Sequence, residues 1–289
     1  MAFKQQSPGD KVYEISILVF LIVFTLAVAY PLVWIVVSSL SDPYAVLSGQ
    51  ITFYPIGPSW RMYRIVFMHP EIPRTYMNTV VYTFLGIIAG VGLTMLCAYP
   101  LSRKEFFGKG FFMALLMFTM FFSGGMIPMF LQMRRLRLLN TIWAVVLPGS
   151  LAVYNTIIMR TFFVTNIPQE LEESAFLDGA NDLQFFIKMV IPLSQAIMAV
   201  MVLFYGVAQW NSWFPALLYL SSRRLYPVLL ILREIILQST NQNATMDQEF
   251  IGDGVKYATM VVTTLPIMCL YPFLQKYFTK GVMVGSLKG

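Results

Sequence analysis

Charge is scarce in this sequence: 12% of its 289 residues are Asp, Glu, Lys or Arg, against roughly 25% in an ordinary soluble domain. A soluble chain of this length needs a charged surface, and too few charges are present to make one. Histidine occurs once, and a single His69 beside Pro70 cannot build a metal site, which takes several ligands. The two cysteines, Cys97 and Cys269, fall in apolar runs and read as packing residues. No G-x-x-x-x-G-K-[ST] phosphate loop is present, so the chain is not expected to bind ATP by itself. Neither H-E-x-x-H nor G-x-S-x-G occurs. Carboxylates are nearly missing from the apolar runs, Glu14 being the nearest case, which argues against ion-coupled transport and intramembrane proteolysis. The net charge of +6 is scattered, with no basic stripe interleaved with aromatics, so nucleic acid is not an expected partner. The chain reads as non-catalytic and without a cofactor of its own; energy to move a solute would come from a partner.

What is abundant is apolar: 57% of residues are hydrophobic. Runs of about 20 apolar residues are long enough to cross a bilayer as helices. Six are found, at Tyr13–Val37, Thr75–Tyr99, Gly110–Leu131, Ile142–Phe163, Leu193–Leu220 and Tyr257–Leu274. The expected fold is therefore an all-α integral membrane protein with about six transmembrane helices, in one membrane domain over residues 1–289. The short polar lead Met1–Asp10 has no small-residue cleavage site after it, so the first run reads as a retained span.

One stretch does not belong in lipid. Ile167–Pro192, within the loop 164–192, carries Glu170, Glu172, Glu173, Asp178 and Asp182 together with helix punctuation. Pro168 suits a first helical position, and the glutamates that follow suit the positive end of the helix dipole. Gly179 is placed to end that helix in a left-handed conformation. Asn181 and Gln184 have capping-box spacing for a second helix, which runs through Phe185, Phe186, Met189 and Val190 to Pro192. From the residues alone, two readings stand: an amphipathic connector on the membrane surface, or a docking element for a soluble partner.

The segment resembles the EAA loop of ABC importer permeases. Glu173-Ser174-Ala175 stands at EAA, Gly179 follows at the family spacing, and Ile191-Pro192 stands at the closing Leu-Pro. Ser174, Met189 and Ile191 depart from the pattern with residues of tolerable size. Leu177–Ala180 is similar to the sugar-transporting branch, as are Ala98–Arg103 and the Gly-rich tail Lys280–Gly289. Phe122–Pro128, Leu139–Thr141 and Trp210–Trp213 resemble the subgroup associated with complex oligosaccharides. The resemblance implies one permease of a bacterial cytoplasmic-membrane importer with both termini cytosolic. Its implied partners are a second homologous permease, two copies of a cytosolic ATPase that bind ATP and Mg, an extracytoplasmic solute-binding protein and an oligosaccharide. The first helix of the loop then couples to the ATPase through Glu172, Glu173, Ser174, Ala175, Leu177, Asp178 and Gly179, with Glu173 as polar anchor and Gly179 setting the angle.

Two outer features are candidates for cargo. Tyr205, Gln209, Trp210, Asn211 and Trp213 mix flat rings with amides suited to sugars, the alternative being an interfacial aromatic belt. The twenty Lys and Arg divide evenly between the two sides, so the expected inside excess is not met. The outer set is almost all arginine, whose planar fork suits carboxylates. Arg134, Arg135, Arg137, Arg223 and Arg224 would thus serve an acidic, uronic-acid oligosaccharide, an acidic binding protein or lipid headgroups. A permease for a non-sugar cargo and a membrane scaffold without a transport path are the competing functions.

Overall fold

In the computed structural model, residues 8–239 and 254–269 are described. The Gly-rich tail at 280–289 lies outside them. Helices make up the architecture, and no strand occurs among the described residues. Two compact units are distinguished, one of residues 1–70 with 232–264, the other of 71–231 with 265–289.

The first unit opens on α1 (Pro8–Leu40), followed by α2 (Pro43–Leu47) and α3 (Arg61–Met68). Helix α1 is long and apolar enough to cross a membrane, and none of its most apolar window is buried. An apolar helix with no protein cover is a lipid-facing one. Its C-terminal end packs: Val37 joins Ala45, Val46 and Ile51 in a small core that also holds Trp34 and Tyr257. A second core gathers Met62 and Val66 of α3 with Val255 and Ala258.

The second unit is built on α4 (Ile72–Ser102), which is apolar, straight enough to span, and partly buried. Then come α5 (Lys109–Phe121), α6 (Met126–Arg135), α7 (Trp143–Val146) with a 3-10 turn (Leu147–Gly149), and α8 (Val153–Asn166). The polar loop holds α9 (Gln169–Leu177) and α10 (Asp182–Phe185), which continues through a π-turn (Phe186–Val190) into α11 (Ile191–Leu193). Helices α12 (Gln195–Trp210) and α13 (Phe214–Tyr219) follow, while most of α14 (Val228–Ser239) and of α15 (Gly254–Cys269) counts with the first unit.

Three of the six apolar runs are not single straight helices. Run 110–131 breaks between α5 and α6 with a bend of 116°. The break falls at Ser123-Gly124-Gly125, where Gly125 has φ +85°, a conformation that releases the helix. Run 142–163 bends by 51° between α7 and α8, and α12 departs from the helix before it by 79°. By length and composition two helices can cross a membrane, or five if each bent pair is one crossing.

Helices α4 and α12 pack closely because α4 presents glycine where α12 presents bulk. A Cβ on Gly86 would stand 2.7 Å from the Gln209 side chain, and one on Gly90 would stand 2.5 Å from the Tyr205 ring. Gly86 and Gly90 form a G-x-x-x-G pair, the small-residue spacing that lets membrane helices approach. Around this contact Met159, Phe163, Ile197, Met201 and Tyr205 form the main core.

Candidate coupling loop and outer basic loops

The loop between α8 and α12 is ordered by its own punctuation. Pro168 is extended, with φ −60° and ψ 145°, and caps α9 rather than occupying its first helical position. Its carbonyl accepts the first bond, from the Leu171 N–H. Leu171 and Ala175, four residues apart on one face, turn toward the main core. At the other end Gly179 is left-handed at φ +82°. Its N–H donates to the Phe176 carbonyl at 3.0 Å, and the Ala180 N–H donates to the Ala175 carbonyl at 2.9 Å. That pair of bonds is a Schellman closure. Two residues on, Asn181 Oδ1 accepts from the Gln184 N–H and Gln184 Oε1 accepts from the Asn181 N–H, a complete capping box. Both helix ends at the turn are therefore satisfied, and α9 is held at a fixed angle to α10.

A long-range ion pair ties α9 to the central helix. Arg103, just past α4, donates from Nη1 to Glu172 Oε2 at 2.6 Å. The two side chains are only 14% and 17% exposed. The guanidinium also lies over the rings of Tyr99 (4.7 Å) and Phe185 (5.7 Å). Nothing in the sequence marked Arg103 for this role, since its partner is 69 residues away.

The seven residues read as ATPase-facing therefore divide. Glu172 turns inward to Arg103 and Ala175 is buried. Glu173, Ser174, Leu177, Asp178 and Gly179 are exposed, and Leu177 is 90% exposed. Glu173 accepts a bond from Gln169 Nε2 at 3.0 Å. No atom of this chain lies within 4 Å of a Cβ built on Gly179. Gly179→Ala should therefore lower stability by only about 1 kcal/mol, the cost of a left-handed alanine, as read from thermal unfolding of the purified chain. A much larger loss would mean that the turn is packed from within.

The aromatic and amide group of α12 divides as well. Tyr205 is buried, bonded to Thr94 Oγ1 at 2.6 Å and accepting from the Ala152 N–H at 3.1 Å. Gln209 is buried and donates to the Val145 carbonyl. Trp210 is buried edge-on to Tyr76. Asn211 is exposed and Trp213 half-buried. In this conformation the first three hold helices together.

The five arginines read as outer lie at the end of α6, just after it, and on the turn at 223–224, segments that the fold stitches together. Asn140, left-handed at φ +58°, accepts on Oδ1 from the N–H groups of Ser221 and Ser222. Its own N–H donates to the Tyr219 carbonyl at 2.8 Å. Beneath this staple Met133, Ala144 and Tyr219 form a shared core. Arg134 and Arg135 close α6, where positive charge suits the helix dipole, and Arg137 stands at φ +56°. Arg223 grips Glu71 through Nε (3.1 Å) and Nη2 (2.8 Å). Arg134, Arg135, Arg137 and Arg224 are exposed, and no ion pair to them occurs among the described residues. No cluster of three or more metal-ligating side chains is found among the described residues.

Comparison with known proteins places this arrangement. No family model matches the chain. It is 38% identical to the Bacillus subtilis polygalacturonan/rhamnogalacturonan transport system permease protein YtcP, over 97% of this chain and 99% of that one. It is 30% identical to the probable ABC transporter permease protein YurM of the same organism, covering 99% of this chain and 93% of that one. A crystal structure of a bacterial ABC transporter involved in import of the acidic polysaccharide alginate contains a chain that superposes with a TM-score of 0.84. That match has 30% identity and covers 95% of this chain and 99% of the other. With relatives this close along nearly its whole length, the chain belongs to the ABC transport permeases, in their carbohydrate branch.

Proposed function

We propose that this protein is one of two homologous permeases in a bacterial ATP-driven importer of acidic oligosaccharides. The observation that carries the coupling role is α9: closed at its C-terminal end by the Gly179 turn, braced to α4 through Arg103 and Glu172, and exposing Leu177 and Glu173. A helix so held moves as a lever with the core instead of flexing. Two copies of a cytosolic ATPase bind ATP and Mg; as they close, the docked helices tilt and the membrane path opens outward. The membrane path consists of six crossings: α1, α4, the α5–α6 pair, the α7–α8 pair, α12 with what flanks it, and α15 with the residues after it. With the α9 loop cytosolic, both termini are cytosolic too.

The cargo reading rests on the arginines. Four exposed guanidiniums on loops fixed by Asn140 present forks suited to carboxylates. The relatives named for polygalacturonan and alginate carry the same reading. An extracytoplasmic binding protein delivers the chain to this face. ATPase activity of the reconstituted complex, with its binding protein, tests the reading when uronic-acid and neutral oligosaccharides are titrated in parallel. Stimulation by acidic chains alone is expected. Equal stimulation by neutral chains would remove the acidic cargo, and no response to any sugar would remove the sugar.

A further inference from the structure

Behind α9 a cleft of about 790 Å³ opens between the end of α4, the turn 103–109, α8 and α9. Four cations line it: Arg103, Lys104, Lys109 and Arg160. Four carboxylates also line it, so the charges balance in number. Glu172 holds Arg103, Glu173 holds Gln169, and Asp182 sits in the first turn of α10. Glu105 is exposed on the turn. The cations are left with donors to spare. Arg160 donates from Nε to the Leu101 carbonyl at 2.9 Å, which leaves both its terminal nitrogens. Lys109 Nζ donates to the Arg103 carbonyl at 3.3 Å. Arg103 keeps Nε and Nη2 buried without an acceptor. No ion pair to Lys104, Lys109 or Arg160 occurs among the described residues.

What an anion would find here is not excess charge but donors without an acceptor: Arg103 Nε and Nη2, and the terminal nitrogens of Arg160. The anion must offer several oxygens, since the donors approach from α4, α5 and α8. A tetrahedral phosphate does this, and Lys and Arg are its usual partners. Phe106, Phe163, Val164, Ile167 and Phe176 make an apolar part of the lining, beside the polar Ser102 and Gln169. Just outside, Phe107 is 95% exposed and Phe111 is exposed too. Basic pockets between membrane helices with such rims suit lipid headgroups.

We propose that this cleft is a binding site for a phosphate-bearing anion, held by Lys109 and Arg160 with Arg103 in its wall. The phosphate can come from an anionic phospholipid or from free phosphate. Its occupancy fills the space behind α9.

The test uses the full-length chain in detergent micelles. Surface lysines are acetylated, and modification at Lys109 is followed by mass spectrometry during titration with phosphatidylglycerol, phosphatidylcholine of the same acyl chains, or inorganic phosphate. Phosphatidylglycerol is expected to slow labelling of Lys109 about tenfold, the scale of one charge-assisted hydrogen bond, and phosphatidylcholine is not. Protection by phosphatidylglycerol alone assigns a lipid headgroup; equal protection by inorganic phosphate assigns the free anion. Equal protection by both lipids, or none by any of the three, overturns the proposal. In Arg160→Gln the midpoint for protection should rise about tenfold, while Arg134→Gln should leave it in place. An Arg160→Gln chain that titrates like the wild type also overturns it. The wild-type comparison stands even if that variant does not fold.

Discussion

Glu172→Ala is expected to destabilise the protein by about 3 kcal/mol, the lower end of the cost of breaking a buried ion pair. The low end applies because both partners keep some exposure, at 14% and 17%. The cost is borne by what remains. Arg103 would stay wedged over Tyr99 and Phe185 with its one carboxylate gone. Its Nε and Nη2 already lack acceptors, so Nη1 would join them. Replacing both partners tells the pair from its surroundings. Arg103→Met with Glu172→Leu removes both charges, and such exchanges are often close to neutral. Thermal unfolding of the three proteins checks this, and a double variant no better than Glu172→Ala would refute it. In the assembled importer the double variant carries a sharper expectation. With stability restored but the strut missing, basal ATP hydrolysis should persist while its stimulation by cargo falls.

Gly90→Leu should be more damaging still. Even a bare Cβ there meets the Tyr205 ring at 2.5 Å, a distance no packing tolerates. Overfilling a well-packed contact costs about 1–3 kcal/mol in itself. Displacing Tyr205 would further strip Thr94 and the Ala152 N–H of their partner, at about 1 kcal/mol each. Folded yield in detergent and thermal unfolding are the measurements. Gly92→Leu on the same helix is the control, because nothing lies within 4 Å of its Cβ. Leucine is the better helix former, so propensity cannot account for a loss, and equal losses at both positions would mean that the α12 contact does not set the result.

These two sites differ in how far the sequence could disclose them. The α9–α10 turn is legible because each device spans four residues: Gly179 with Phe176, Asn181 with Gln184. Arg103 and Glu172 are not, because an arginine after an apolar run has no local signal for a carboxylate 69 residues on. Gly86 and Gly90 lie between. Their spacing is visible in the chain, but what fills the groove is set by α12 alone. That also explains Tyr205 and Gln209. Their composition suits a sugar, and their position gives them to helix packing. The apolar runs foretell lipid contact and say little of straightness, so the break at Gly124-Gly125 needed the backbone to be seen. Read by residue type, the arginines form one group; in the fold Arg223 is set apart by Glu71.

The glycine groove of α4 also fixes a timetable. Tyr205 is made 111 residues after the Thr94 hydroxyl it meets. At ribosomal speeds of about 5–20 residues per second, that interval is on the order of ten seconds. Throughout it the nascent chain holds an open notch in the bilayer, at Gly86 and Gly90, which lipid or an insertase must occupy. Maturation of this subunit thus waits on its fifth apolar run, and a ribosome stalled before residue 205 would leave the notch without the helix that fits it.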